Sequence, residues 1–142
     1  MRLIICTFIF LYTPNIHAMY VNRIDKLAHV NDLAVGDLVE SFSDKESYFD
    51  KVVKLTCHKE NRVLVGTYYR EIQIAANQSL RIREGLRPAR DLQIGDQVYT
   101  TEGWEKVEEV RELYPDRVVK IHTHHSIFVW INGFLIAQDP KY

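Results

Sequence analysis

The sequence predicts an all-β domain assembled from two copies of one β unit. Three observations carry this. The first is an octapeptide that occurs twice. Asp91-Leu92-Gln93-Ile94-Gly95-Asp96-Gln97-Val98 repeats Asp32-Leu33-Ala34-Val35-Gly36-Asp37-Leu38-Val39 as Asp-Leu-x-x-Gly-Asp-x-Val, at an offset of 59 (Asp91 against Asp32). A fixed offset is the mark of an internal repeat. The second is that the echo continues at an offset of 55. Val52 falls on Val107, Val63 on Val118, Ile72 on Ile127, Ile74 on Val129, Asn77 on Asn132 and Leu80 on Leu135. With 46% of the chain hydrophobic, apolar matches alone decide little, so the Gly-Asp and Asn pairs carry the weight. The third is composition: eight Tyr, six Phe and two Trp, with many Val and Ile, suit pleated, half-buried surfaces.

The elements follow in order. Met1 to Ala18 has one Arg, an apolar run from Leu3 to Tyr12, a break at Pro14 and a small residue at Ala18. That is the layout of a secretory signal peptide, 1–18, and it is too short to span a bilayer as a helix. The run also has the composition of a buried first strand; the leader is preferred. Its removal takes Cys6 away and leaves Cys57 as an unpaired thiol, read as a partly buried small apolar residue. The remainder, 19–142, is a single domain by length and long enough to bury a core without staples.

Met19 to Asn31 predicts two short strands about a turn near Asp25-Lys26. Asp32 to Val39 is the first Gly-Asp unit. Ser41 to Ser47 reads as a polar turn, Tyr48 to Thr56 as a strand, Cys57 to Asn61 as a turn, and Arg62 to Tyr69 as a strand. Glu71 to Ile74 alternates as a half-buried strand does. Arg81 to Arg90 alternates about a Gly85 turn, and Arg81, Arg83, Arg87 and Arg90 would line one solvated face of that hairpin. In the second unit Gly95-Asp96 is a tight turn and Thr100-Thr101-Glu102-Gly103 a hairpin turn. Trp104, Val107, Val110 and Leu113 are three apart, which a helix would also fit; the repeat favours strand. Pro115-Asp116 reads as a turn, Arg117 to Thr123 and Ser126 to Ile131 as strands. Asn132-Gly133 is the signal for a type I′ hairpin, closed by a strand at Phe134 to Ala137.

Net charge is −1 and the basic residues are dispersed, so electrostatics make no case for nucleic acid. His122, His124 and His125, with Cys57-His58, have metal-like spacing. Zinc needs three or four convergent ligands, and an exposed histidine-bearing edge is the preferred reading, with neither metal nor cofactor.

The order Ala75-x-Asn77-Gln78, then Asp91-Leu92-x-x-Gly95-Asp96-x-Val98, then Phe128 with Asn132-Gly133-Phe134-Leu135-Ile136, resembles the Hint domain, the self-processing domain of inteins and hedgehog-type proteins. The resemblance spans Met19 to Asp139. It implies a flat, horseshoe-like all-β fold with a pseudo-two-fold repeat. It also implies a site in which an N-terminal Cys or Ser attacks the preceding carbonyl. A Thr-x-x-His motif would polarise the scissile amide, a late His would assist, and a terminal Asn would cyclise.

Carried over by position, the Thr-x-x-His motif falls on Ala75-Ala76-Asn77-Gln78, so Ala75 lacks the hydroxyl and Gln78 replaces the imidazole. Asn77 keeps a polar middle position. Gln can donate a hydrogen bond but has no pKa near neutrality. The late His falls on Ser126, with His125 one residue off and so on the opposite face of a strand. The cyclising Asn falls on Gln138, preceded by Ala137. The nucleophile falls near Thr13, inside the leader. The expectation is a Hint-like protein, secreted or periplasmic, with autoprocessing absent or vestigial, acting as a binding or structural module. Its partner would be another protein or its own flanking segment, and no stable membrane span would remain after leader removal. The alternatives are an active self-cleaving domain and an unrelated secreted β-protein.

Overall fold

The computed structural model describes residues 19–43 and 45–138. The signal-peptide reading of residues 1–18 and the nucleophile position at Thr13 therefore lie outside the described residues. Twelve strands and two 3₁₀ turns make up the regular structure of the described part. They are β1 (Tyr20–Asn22), β2 (Leu27–His29), β3 (Leu38–Ser43), β4 (Glu46–Gly66), β5 (Glu71–Ala75), β6 (Ser79–Ile82), β7 (Gly85–Pro88), β8 (Gln97–Thr100), β9 (Gly103–Lys106), β10 (Glu109–Thr123), β11 (Phe128–Ile131) and β12 (Phe134–Ala137). β1 and β2 form a two-stranded ribbon, tied to β3 by an isolated Arg23–Val39 bridge. The other ten make one sheet in the order β10-β4-β3-β11-β12-β6-β8-β9, with β5 added on β4 and β7 on β6.

The duplication appears as duplicated hydrogen bonds. A 3₁₀ turn at Val30–Asp32 precedes Gly36, and another at Ala89–Asp91 precedes Gly95. Asp37 N–H donates to Ala34 O at 3.0 Å, and Asp96 N–H to Gln93 O at 3.0 Å. Gly36 and Gly95 then donate to Val52 O and Val107 O at 2.8 and 2.9 Å, and those two valines return bonds to Asp37 O and Asp96 O. Each aspartate carboxylate accepts the N–H three residues back, from Ala34 and from Gln93, both at 2.9 Å. The repeated Asp thus holds a turn that the repeated Gly permits, since φ is +103° at Gly36 and +101° at Gly95. A Cβ at either position would meet nothing within 4 Å. The cost of alanine is therefore backbone strain alone. We expect Gly36→Ala and Gly95→Ala each to lower stability by about 1–2 kcal/mol in urea denaturation, and by similar amounts because the geometry is shared. Unequal losses would mean that the two turns are not equivalent.

The two units are clasped by their longest strands. β4 and β10 pair antiparallel from Glu109↔Gly66 to Thr123↔Val52, so each unit extends a strand along the other. The main core lies between them and includes Val39, Val52, Val63, Val65, Ile72 and Ile74 from the first unit, with Val98, Val107, Ile121, Val129, Phe134 and Ile136 from the second. Phe42, Trp130 and Leu135 pack on the other face of the sheet, with Tyr99 and Phe128 against them. Because both faces are covered there, β12 is buried at all four positions.

Several expectations need correction. Cys57 to Asn61 is not a turn: β4 runs through it, paired with β10, and Cys57 is exposed rather than partly buried. The stretch is polar because its side chains stand largely in solvent, although the backbone from Cys57 to Glu60 is paired with β10. Pro115-Asp116 does not turn the chain either. β10 continues, and the register shifts between Leu113 and Asp116, so a bulge accommodates the proline, which has no N–H to donate. Ser41 belongs to β3 and is buried; the turn lies after Ser43. Trp104 to Leu113 needs no such correction: it is strand, as the repeat favours, divided between β9 and β10 on either side of residues 107–108. The four arginines do not share one face. Cross-strand register sets Arg87 opposite Leu80 and Leu86 opposite Arg81, so Arg87 points to the other side of the hairpin and reaches Asp96 at 2.9 Å. Arg83 lies over the Trp104 ring, 4.8 Å from its centroid. Asn77 and Asn132 occupy matching places with different backbones. Asn132 has φ +50° and Gly133 +81°, as a two-residue hairpin requires, whereas β5 and β6 part company at Asn77 and pair with different strands.

Candidate functional site

The β5–β6 turn is built by its own amides. Gln78 N–H donates to Ala75 O at 3.0 Å, and Gln78 Oε1 accepts the Ala75 N–H at 3.3 Å. Next along the chain, Ala89 N–H donates to Gln78 O at 2.8 Å and Arg90 N–H to Ala76 O at 3.0 Å, which fastens the second 3₁₀ turn beneath it. Ala75 and Gln78 are buried, while Asn77 stands exposed at the tip. Lys120 Nζ, from β10, donates to Asn77 Oδ1 at 3.4 Å.

Two of the expected positions are brought together from opposite ends of the chain. β6 and β12 pair as Leu80↔Ile136 and Ser79↔Ala137. Gln78 and Gln138 are the next residues beyond that paired end. The Gln138 side chain is held on both atoms. Its Nε2 donates to Thr123 Oγ1 at 3.0 Å and to Ser126 O at 3.2 Å, and its Oε1 accepts the Thr123 N–H at 3.0 Å. Its main-chain N–H donates to Ile127 O at 2.7 Å.

Ser126 joins this group and is buried. Its Oγ lies 2.7 Å from Phe42 O and 2.8 Å from Phe128 O, with one hydrogen to share between them, and it accepts the Phe128 N–H at 3.0 Å. The ring of His125 is elsewhere. It is exposed, with its centroid 4.0 Å from that of His124, and only its backbone points inward. β10 ends at Thr123, so His122 and His124 do not stand on one strand face. Among the described residues no three His, Cys, Asp or Glu side chains converge on a point. A surface cleft of about 530 Å³ lies near Asn132, Arg70 and Trp130, at the other end of the β11–β12 hairpin from Gln138.

Sequence reasoning missed two buried carboxylates that set this geometry. Asp50 Oδ2 accepts the N–H groups of His125 and Ser126, both at 2.8 Å, and Oδ1 accepts the Lys51 N–H at 2.9 Å. Burial raises the Asp50 pKa, but the backbone donors of Ser126, His125 and Lys51, with the His125 charge, outweigh it and leave the carboxyl below its ordinary value. Glu105 does the same for the loop after β4. It accepts from Thr67 Oγ1 at 2.7 Å, from Arg70 through Nε and Nη2 at 3.0 Å each, and from Thr100 Oγ1 at 3.1 Å. Its pKa is raised by burial and lowered further by Thr67, Arg70 and Thr100, for a net fall. The signal was present: the offset of 55 carries Asp50 onto Glu105, and the Thr67–Arg70 loop onto residues 122–125.

Chemically, Gln78, Gln138, Ser126 and Thr123 offer amide and hydroxyl donors and acceptors. None of them exchanges a proton near neutral pH. The group can position a carbonyl or a strand end; it cannot act as general acid or base.

No protein-family model matches the chain, and no curated protein matches it by sequence. Solved structures do. A DnaB intein from Synechocystis superposes with a TM-score of 0.81 at 12% identity, over 87% of this chain and 96% of that one. A bacterial intein-like domain from Clostridium thermocellum gives 0.76 at 15%, over 85% and 94%. The gp41-1 intein gives 0.75 at 16%, over 87% and 95%. Identities this low speak for the fold alone, and the chain has the intein-type Hint fold.

Proposed function

We propose that this chain is a secreted Hint-fold protein whose self-processing chemistry is absent or vestigial, and which serves as a binding or structural module. One observation carries the reading. Gln78, at the place the resemblance gives to an acid–base group, is buried and spends its side-chain oxygen on the Ala75 N–H three residues back. It supports the turn. Gln138 supports the same reading, since its nitrogen would have to abandon two acceptors before it could attack its own main-chain carbonyl. Secretion rests on Arg2, the apolar run and Ala18, and N-terminal sequencing of a secreted product should begin at Met19.

The test uses the chain fused after a carrier protein at residue 13 and produced in a cytosol. We expect no carrier release in dithiothreitol from the natural sequence, because loss of general acid–base catalysis alone forfeits roughly 10²–10⁴-fold. Ala75→Thr with Gln78→His should also fail, for want of a nucleophile. Adding Thr13→Cys should restore thiol-dependent release to a scaffold that once processed itself. Release from the natural sequence would overturn the inactive reading.

A further inference from the structure

Outside the chemistry just considered, the described structure gathers a primary amine, a carboxamide and a carboxylate from three separate elements. Lys120 comes from β10, Asn77 from the β5–β6 turn and Glu60 from the middle of β4. Lys120 Nζ lies 3.2 Å from Glu60 Oε2 and 3.4 Å from Asn77 Oδ1. A lysine only 6% exposed is uncommon, and this one is fixed between the two other groups.

The geometry points to an isopeptide cross-link between the side chains of Lys120 and Asn77, formed by the folded protein itself with Glu60 as the proton carrier. Glu60 Oε2, 3.2 Å from Nζ, is placed to take its proton. The neutral Nζ attacks Asn77 Cγ, whose carbonyl oxygen already faces it. Glu60 passes the proton to Nδ2, the Nζ–Cγ bond forms, the Cγ–Nδ2 bond breaks and ammonia leaves. Nζ sheds its second proton to Glu60, which hands it to the departing ammonia, so the leaving group enters solvent as ammonium, no oxidant or other reactant is needed and Glu60 ends ionised. The partners are held in contact before reaction, which is the condition under which intramolecular attack gains most. Asn77 is exposed on its outer side, so the ammonia has a path to solvent. The bond would close a loop between residues 43 apart and tie β10 to the turn that carries Gln78.

The inference is separate from the processing reading, because processing removes a peptide whereas cross-linking removes one ammonia. The experiment is intact-mass spectrometry and tryptic mapping of the full chain after incubation at neutral pH. The expected result is a mass lower by one ammonia, no tryptic cleavage after Lys120, and a branched peptide joining residues 77 and 120. Lys120→Arg and Asn77→Ala should each restore the full mass, and Glu60→Gln should slow the loss at least tenfold. Asn77→Asp is the diagnostic variant, since the same attack would then expel water in place of ammonia. A natural chain of full mass with cleavage after Lys120 overturns the proposal. So does an ammonia loss that survives Asn77→Ala.

Discussion

Asp50→Ala should cost about 2–4 kcal/mol in urea denaturation, because it strands one buried and two part-buried backbone donors, the buried one at roughly 1–3 kcal/mol. The donors are the N–H groups of Lys51, His125 and Ser126, all within 2.9 Å of the lost carboxylate. Asp50→Asn keeps one acceptor oxygen and should cost under half as much. The loss should be local in origin: the loop from Thr123 to Ser126 frees first, and with it the bonds that hold Gln138. Hydrogen exchange at the His125 and Ser126 amides reads this directly. A cost below about 1 kcal/mol would show that water can replace the carboxylate, and that Asp50 does not hold the loop from Thr123 to Ser126.

Acid should remove both carboxylate clasps at once. The Asp50 and Glu105 pKa values lie below their ordinary 3.8 and 4.5 in the folded chain. The unfolded chain therefore binds more protons in the interval between the two states' values. The stabilisation is present above the unfolded values and is lost as pH falls through the folded ones. Within that interval each clasp contributes a slope approaching 1.4 kcal/mol per pH unit, roughly one proton's worth. Unfolding free energy should fall steeply below about pH 4. In the double variant Asp50→Asn, Glu105→Gln the curve should be lower at neutral pH and flatter in acid. An unchanged slope in that variant would assign the acid sensitivity to other groups.

Much of the architecture was legible because repeated residues do repeated physical work. The Gly-Asp pair marks a turn that needs φ above zero and a carboxylate three residues on, and both turns formed as read. Asn132-Gly133 behaved likewise. The errors fell where side-chain polarity and backbone pairing part company. Residues 57–61 look like a loop because nothing there is buried, yet every strand residue needs only a neighbour's backbone. Pro115 looks like a turn because it lacks a donor, and a bulge satisfies it equally well. At the site, positions could be carried over but contacts could not. That Gln78 would cap its own turn, and lie at the same end of the β6–β12 pair as Gln138, depends on how those strands pair. Asp50 and Glu105 were hidden because an acid and an acid one methylene longer do not look like a repeat until their loops are seen.

The clasp of β4 with β10 has a further consequence for how the chain reaches this fold. The middle of β4, from Lys54 to Glu60, finds its partner only in residues from Asp116 to His122, so its ladder spans more than fifty residues of intervening chain. During synthesis the first unit emerges with that strand unpaired, and it cannot close until the second has followed. Such distant pairing slows folding and lengthens the time for which an open edge is available to other chains. Leu55 lies in that waiting edge and Val53 just before it, with Lys54 between them and the polar Cys57-His58-Lys59-Glu60 after them. Interspersed charge of this kind is what discourages a lone strand from pairing with its own copies. The polarity that disguised the strand in the sequence is, on this view, its protection while it waits.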